Sequence, residues 1–174
     1  MSSLGTTVKV ELVPISLERA PTLKNLLELY AHDFSEYVPL QLGANGRFDL
    51  LLGDEWWQAD DHYPFFVHAD GKLSGFALVR RGSRVTDDAK VMDIAEFFVV
   101  RGARRQGVGV KVVRELFRVL PGPWEARVRA GNTPAFAFWS RAFSESAGQA
   151  PEVADFSKAG VAWQVFRAGA GPRA

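Results

Sequence analysis

The stretch that decides the fold is Arg104-Arg105-Gln106-Gly107-Val108-Gly109. It follows an apolar run over residues 91–100 and opens an amphipathic segment that stops at Pro121. This order predicts a strand, a tight turn and a helix. Two glycines in the turn leave successive backbone N–H groups bare at the positive end of the helix dipole, which is where phosphate groups bind. The stretch therefore predicts a site for a phosphorylated cofactor.

Three phosphate-binding patterns share this context, and two of them fit poorly. A Walker A loop needs Lys and then Ser or Thr after its second glycine, whereas Gly107 is followed by Val108, Gly109 and Val110. A dinucleotide fingerprint would need Gly or Ala at residue 112, which is Val112, and a ribose-binding acid after a neighbouring strand. The pattern that remains is R-x-x-G-x-G.

That pattern resembles the acyl-CoA pyrophosphate loop of the GNAT superfamily of N-acyltransferases. A second motif agrees with it, because Asn132, Ala135, Phe138 and Trp139 match the family's N-x-x-A-x-x-hydrophobic-aromatic helix. Val99 lies where the family usually has a valine at the end of its central strand. The resemblance covers residues 91–143, while the N-terminal part agrees only in the order of its elements.

The resemblance implies an α/β (α+β) fold with a mixed, mostly antiparallel central sheet, splayed at its fourth strand and flanked by helices. It implies acetyl-CoA as co-substrate, inserted along the splay. Backbone N–H groups near Phe98, Val99 and Val100 would bind the pantetheine and the thioester oxygen. The other cofactor-binding residues that it implies are Arg104, Arg105 and Gln106 beside the pyrophosphate, Gly107, Val108 and Gly109 around it, Asn132 on the pantetheine arm and Trp139 packed against the arm or the core.

The apolar patterns predict one domain over residues 1–174. Asp70-Gly71 between two apolar runs predicts a hairpin, and Thr133 before Pro134 predicts a helix cap. Apolar residues alternate with Glu125, Arg127 and Arg129, which predicts a half-buried strand over residues 124–130. The predicted strands are 6–15, 63–68, 73–80, 91–100, 124–130 and 161–167. The predicted helices start at residues 21, 110 and 134, and a further short helix lies within 34–61. We also expect a loop over 144–160 and a flexible tail over 168–174.

Glu96 is the candidate catalytic residue. It lies on the strand before the glycine turn, on the face of Ile94 and Phe98 if the alternation of side chains is unbroken. Burial would raise the pKa of this carboxyl group and suit it to take a proton from a substrate ammonium, directly or through water. Several GNAT enzymes have a glutamate on this strand in that role. A Glu whose carboxylate reaches solvent or an arginine fits the same pattern.

Trp139 departs from the family, which often has a tyrosine there as general acid toward the CoA thiolate. An indole N–H donates a hydrogen bond but delivers no proton at neutral pH. Two functions stay open. The chain is either an N-acetyltransferase that moves acetyl from acetyl-CoA to a primary amine by direct attack in a ternary complex, or a non-catalytic acyl-CoA-binding sensor or regulatory module.

If the chain is an N-acetyltransferase, we expect its acceptor to be a small-molecule or peptide amine. In the GNAT family the segment that corresponds to residues 32–61 usually forms the wall of the acceptor site. Its acidic and aromatic residues would suit a cationic amine, although surface acids and core aromatics explain the same pattern. The residues concerned are His32, Asp33, Tyr37, Trp56, Trp57, Asp60 and Asp61.

Composition narrows the remaining classes. With 21 basic and 20 acidic residues the net charge is +1, so binding to nucleic acid or to a membrane surface has little support. The chain has no cysteine, which excludes disulfides and a cysteine-bound acyl group. His32, His62 and His68 lack ligand-like spacing, so we expect no metal. No signal core or long apolar run is present, so we expect a cytoplasmic protein. The oligomeric state stays open, a homodimer included.

Overall fold

A seven-stranded sheet organises the part of the chain that this computed structural model describes, residues 7–169. Helices pack on both faces of the sheet. The strands are β1 (Val10–Pro14), β2 (His62–Ala69), β3 (Lys72–Arg81), β4 (Met92–Val99), β5 (Trp124–Arg129), β6 (Glu152–Lys158) and β7 (Val161–Ala168). The α-helices are α1 (Ala20–Phe34), α2 (Glu55–Gln58), α3 (Val108–Val119) and α4 (Thr133–Ala147), with short 3₁₀ turns at Leu17–Arg19 and Arg101–Ala103.

The strand order is β1-β2-β3-β4-β5-β7-β6, and every neighbouring pair is antiparallel except β4 and β5. The parallel pair is short, because it joins only Met92–Ile94 with Trp124–Ala126. Past Ile94 the two strands separate. The fold is therefore the mixed, mostly antiparallel sheet with a splay at the fourth strand that the sequence predicted.

Two apolar clusters lie on opposite faces of the sheet. The larger one packs α3 and α4 against the sheet, with Val112, Leu116 and Phe143 fully buried. The smaller one packs Leu23 and Leu27 of α1 onto Phe76, Leu78 and Phe98. Because successive side chains of a strand point to opposite faces, β4 contributes Phe97 and Val99 to the first side and Phe98 to the second.

The predicted elements are confirmed with four corrections. The residues predicted as a loop over 144–160 contain β6, an edge strand whose side chains are mostly exposed and so show no apolar alternation. The last helix continues to Ala147, and its cap is Asn132 rather than Thr133, since the Asn132 carboxamide accepts the N–H of Ala135 at 3.1 Å. The strand 124–130 is not half-buried, because Glu125 is fully buried.

The fourth correction concerns the predicted tail over residues 168–174. Ala168 ends β7, and residues 170–174 lie outside the described part of the chain, as does residue 6 of the predicted first strand. No helix between residues 7 and 169 is long and apolar enough to cross a membrane.

Candidate active site

The turn before α3 has the conformation that the two glycines predicted. Arg105 and Gly107 both have positive φ, at 60° and 78°, which bends the backbone sharply at the helix start. Within residues 7–169, no backbone hydrogen bond uses the N–H groups of residues 105–110, and the first intrahelical bond runs from Lys111 to Gly107. A run of bare N–H donors at a helix N-terminus is an anion site.

Gly109 has a packing role as well as leaving backbone exposed. A Cβ at this position would lie 2.7 Å from the ring of Phe138 on α4, whereas a Cβ at Gly107 would meet nothing within 4 Å. The Phe138 ring stacks on Phe97 with centroids 5.5 Å apart. The absence of a side chain at Gly109 therefore sets how closely α3 approaches α4.

Arg104 is held beneath the loop by two contacts. Its Nε donates to the Val99 carbonyl at 2.6 Å, and its Nη2 donates to Asp33 on α1 at 2.5 Å. Arg101 also donates to Asp33, at 2.7 Å. Burial would raise the pKa of Asp33, but the hydrogen bonds from Arg104 and Arg101 outweigh it and leave the pKa lowered. Asp33, expected in an acceptor wall, thus anchors the loop to α1, and Arg104 is engaged with protein groups.

The open edge of β4 offers fewer donors than the sequence predicted. The N–H of Val100 is not free, because it donates to the Ser74 carbonyl at 2.8 Å. In an antiparallel ladder the direction of these bonds alternates, so Phe98 also bonds β3 while Val99 turns toward the splay. Among Phe98, Val99 and Val100, only the Val99 N–H is presented to the gap.

A cavity of about 620 Å³ joins these features. It runs from the loop before α3 along the open edge of β4 to α1 and α4. The predicted site residues that line it are Phe98, Val99, Arg104, Arg105, Gly107, Val108, Gly109, Asn132 and Trp139. Val100, Gln106 and Glu96 do not line it, and the Gln106 side chain donates to the Gly102 carbonyl. Sequence reasoning missed Tyr30, which lines the cavity from α1.

Glu96 lies behind Tyr30, at a bulge in β4. The register pairs Leu78 with Glu96 but Val79 with Ile94, so Ala95 is an extra residue. The expected alternation is therefore broken: Glu96 shares its face with Phe98, as predicted, but not with Ile94. Its Oε2 accepts the Tyr30 hydroxyl at 2.5 Å.

The surroundings of Glu96 change its acidity. Burial raises the pKa of Glu96, and the hydrogen bond from Tyr30 and the charges of Arg127 and Arg80 only partly offset this. Burial and the neighbouring Glu96 raise the pKa of Tyr30 well above its usual value. The pair therefore combines a carboxyl group with a raised pKa and a hydroxyl that stays protonated at neutral pH.

Trp139 is 7% exposed and packs among aromatic rings. Its ring centroid lies 5.2 Å from Phe97 and 5.7 Å from Phe143. It also lines the cavity, so it meets both the core and the space that the pantetheine arm was predicted to occupy. Among residues 7–169, no three His, Asp or Glu side chains are grouped so that they could hold a metal ion.

A sheet that opens beside its fourth strand, with bare N–H groups at the start of the next helix, is the arrangement that the resemblance to the GNAT superfamily implied. The sequence model of the family described as "Acetyltransferase (GNAT) family" matches residues 23–143. The chain belongs to the GNAT acetyltransferase family, which confirms the resemblance seen in its motifs.

Solved structures share this fold. An acetyltransferase from Thermus thermophilus is 13% identical, with a TM-score of 0.69 over 94% of this chain and 98% of that one. The aminoglycoside acetyltransferase AAC(6')-Ib in complex with coenzyme A is 13% identical, with a TM-score of 0.67 over 92% and 95%. PaiA N-acetyltransferase from Thermoplasma acidophilum with coenzyme A is 14% identical, with a TM-score of 0.62 over 92% and 99%. No curated protein sequence matches the chain significantly.

Proposed function

We propose that this protein transfers an acetyl group from acetyl-CoA to a primary amine by direct attack of the amine on the thioester. The observation that carries the proposal is the cavity. It connects the bare N–H groups before α3 to the open edge of β4 and to Tyr30, whose hydroxyl bonds Glu96. A cofactor site and a proton acceptor with a raised pKa are thus close to one space.

The cofactor's pyrophosphate would lie against the N–H groups of residues 105–110, because successive donors at a helix N-terminus bind anions. Arg105 lines the cavity and makes no hydrogen bond to another described residue, so its guanidinium is available to the phosphates. The pantetheine arm would follow the gap between β4 and β5. There the Val99 N–H and the Asn132 carboxamide Nδ2 are the remaining donors, since the Asn132 Oδ1 caps α4.

The reaction needs no group bound covalently to the protein. The amine nitrogen forms a bond to the thioester carbon, and the tetrahedral oxyanion accepts hydrogen bonds from backbone N–H, that of Val99 above all. The C–S bond then breaks, and the sulfur leaves as the CoA thiolate. The attacking nitrogen, which is positively charged once the C–N bond has formed, loses a proton to water or to the thiolate, and the neutral amide product carries the acetyl group.

Glu96 would take the proton that the ammonium form of the acceptor must lose. Because Glu96 does not line the cavity, the proton reaches it through the Tyr30 hydroxyl or a water molecule. The raised pKa of Glu96 lies closer to the pKa of the amine than the pKa of an ordinary glutamate does. Tyr30 holds the carboxylate in place.

Trp139 favours one alternative, a non-catalytic acyl-CoA-binding sensor, because it supplies no proton to the leaving thiolate. A thiolate leaves without protonation more readily than most groups, so the alternative does not follow from Trp139 alone. The two functions differ in one measurable respect, which is whether any amine causes release of CoA.

The test incubates the protein with acetyl-CoA and a panel of amines and measures free thiol beside thermal stabilisation by the cofactor. Thiol release that depends on an amine supports the transferase. Stabilisation by acetyl-CoA without release by any amine would support the sensor. If acetyl-CoA does not stabilise the protein at all, both functions are wrong.

A further inference from the structure

On the sheet face that α1 covers, the half formed by β5 and β7, beside Glu96, has no described helix packed over it. On this face α1 packs against β3 and α2 against β2. Within residues 7–169, helices pack on β5 and β7 from the opposite face: α4 contacts Phe166, and Phe117 of α3 stacks on Trp124. On the α1 face of β5 and β7, Glu125 and Val165 are fully buried, whereas Arg127, Arg129 and Arg167 are partly exposed and can be reached by an incoming molecule.

Arginines dominate this open face. Arg80 and Arg127 both donate to the Asp93 Oδ2, at 2.7 and 3.1 Å, so the three side chains share a face. Arg129 follows Arg127 by two residues on β5 and points the same way. Arg167 joins them from β7 through Glu125.

Among residues 7–169, no acidic side chain lies within salt-bridge distance of Arg129. The fully buried Asp93 is shared by Arg80 and Arg127, and the fully buried Glu125 pairs with Arg167.

Two of these guanidinium groups keep unused donors. The Nε of Arg127 is buried and has no hydrogen-bond partner. Arg129 makes no hydrogen bond to another described residue, and its guanidinium lies 5.6 Å from the centre of the Trp163 ring. A guanidinium group has five N–H donors in a planar fork, and Arg127 uses only its Nη2, toward Asp93. The Nη1 of Arg127 and the whole guanidinium of Arg129 can therefore still bind an anion.

The unused donors lie at the level of Glu96. The parallel register ends with Ile94 beside Ala126, so Arg127 and Arg129 lie at the height of residues 95–98 of β4, across the gap where the two strands separate. The charge of Arg127 acts on Glu96, which agrees with their closeness.

We infer that the acceptor amine carries a carboxylate a few bonds from its nitrogen, and that Arg127 and Arg129 bind this carboxylate. The inference rests on the proposed transferase function and adds the substrate class. A carboxylate matches the guanidinium fork with two parallel hydrogen bonds. A polycationic acceptor such as a polyamine would place a positive charge beside the unpaired guanidinium of Arg129, which costs binding free energy.

The test compares matched acceptors. Glycine, alanine, leucine, phenylalanine and glutamate are each offered beside their α-carboxamides, with spermidine as the polycation, and thiol release is measured at varied acceptor concentration. We expect at least one amino acid to give a kcat/KM about tenfold to a hundredfold above that of its amide, the range typical of charge-assisted hydrogen bonds. Equal rates for acids and amides, or a preference for spermidine, would overturn the inference and leave the transferase function standing.

Variants connect the preference to the arginines. Arg129→Gln should raise KM for the acid about tenfold, with kcat little changed and the amide unaffected. Arg127→Lys keeps a positive charge but loses the fork, and it should also reduce the preference for the acid. Arg118→Gln is the matched control, since Arg118 pairs with Glu115 on α3 and its side chain is 65% exposed. An unchanged acid preference in both test variants would contradict the assignment, provided that acetyl-CoA still stabilises them.

A binding measurement covers the case in which no amine releases thiol, which would refute the transferase function. The same acids and amides are then tested for thermal stabilisation of the protein with CoA bound. Stabilisation by an acid but not by its amide, lost in Arg129→Gln, supports the carboxylate site independently of turnover. No difference between acids and amides would overturn it.

Discussion

The hydroxyl group of Tyr30 on α1 donates a 2.5 Å hydrogen bond to the carboxylate of Glu96 on β4. The two residues are 66 positions apart, and the contact links the helix that covers one sheet face to the strand beside the splay. Tyr30 lines the cavity and Glu96 does not. Access to the carboxylate from the cofactor side therefore passes the Tyr30 hydroxyl.

Glu96→Gln should lower kcat by about a hundredfold or more, because the carboxamide cannot take a proton from the ammonium group. The affinity for CoA should stay nearly constant, since Glu96 does not line the cavity. Steady-state kinetics and calorimetric titration with CoA measure the two quantities. A parallel loss of turnover and of CoA affinity would instead assign Glu96 a structural role.

Tyr30→Phe should move the acid limb of the kcat/KM profile to higher pH. The hydrogen bond from Tyr30 favours the ionised form of Glu96 and so lowers its pKa against the effect of burial. Removing that bond raises the pKa of Glu96 further, and the base becomes ionised only at higher pH. The phenyl ring keeps the stacking on Phe34. An acid limb that does not move would refute this role of Tyr30.

Gly109→Ala should weaken CoA binding and destabilise the protein by about 1–3 kcal/mol, the usual effect of overpacking. The added Cβ would lie 2.7 Å from the Phe138 ring, which must then shift within the cavity wall. Gly102→Ala is the control, because a Cβ there meets nothing within 4 Å and φ is not positive. Equal behaviour of the two variants would show that the close approach at Gly109 is unimportant.

Asp33→Asn should destabilise the protein by about 1 kcal/mol at neutral pH, a modest value because the Arg101 and Arg104 partners are partly exposed. The folded-state pKa of Asp33 is lowered, so its contribution is present above the unfolded pKa and is lost as pH falls through the folded value. The difference in the free energy of unfolding between variant and wild type should therefore shrink at acid pH. Urea titrations at a series of pH values measure it, and a difference independent of pH would contradict the ion-pair origin.

Local features of the sequence predicted most of the fold. Asp70-Gly71 marks the hairpin of β2 and β3, Gly107 has the positive φ of the turn before α3, and Pro134 opens α4. These positions depend on backbone sterics within a few residues, which is why they can be recognised in one sequence. β6 was missed because an edge strand with exposed side chains has no apolar alternation to detect.

Contacts between distant residues decided the site. The partners of Arg104, which are Asp33 and the Val99 carbonyl, come from another helix and from the preceding strand. The donation of the Val100 N–H to Ser74 depends on the register of β3 against β4. Neither is encoded by spacing along the chain, so the sequence assigned both Arg104 and Val100 to the cofactor alone.

By itself, the sequence determined the family and the glycine loop before α3, and it singled out Glu96 as the candidate carboxylate on the central strand. Its motifs are local, so their backbone geometry follows from the residues themselves. The tertiary structure alone decided that Ala95 bulges, that Tyr30 contacts Glu96, and that Arg127 and Arg129 lie on the same sheet face as Glu96. Those relationships arise from strand register and helix packing, which join residues far apart in the chain.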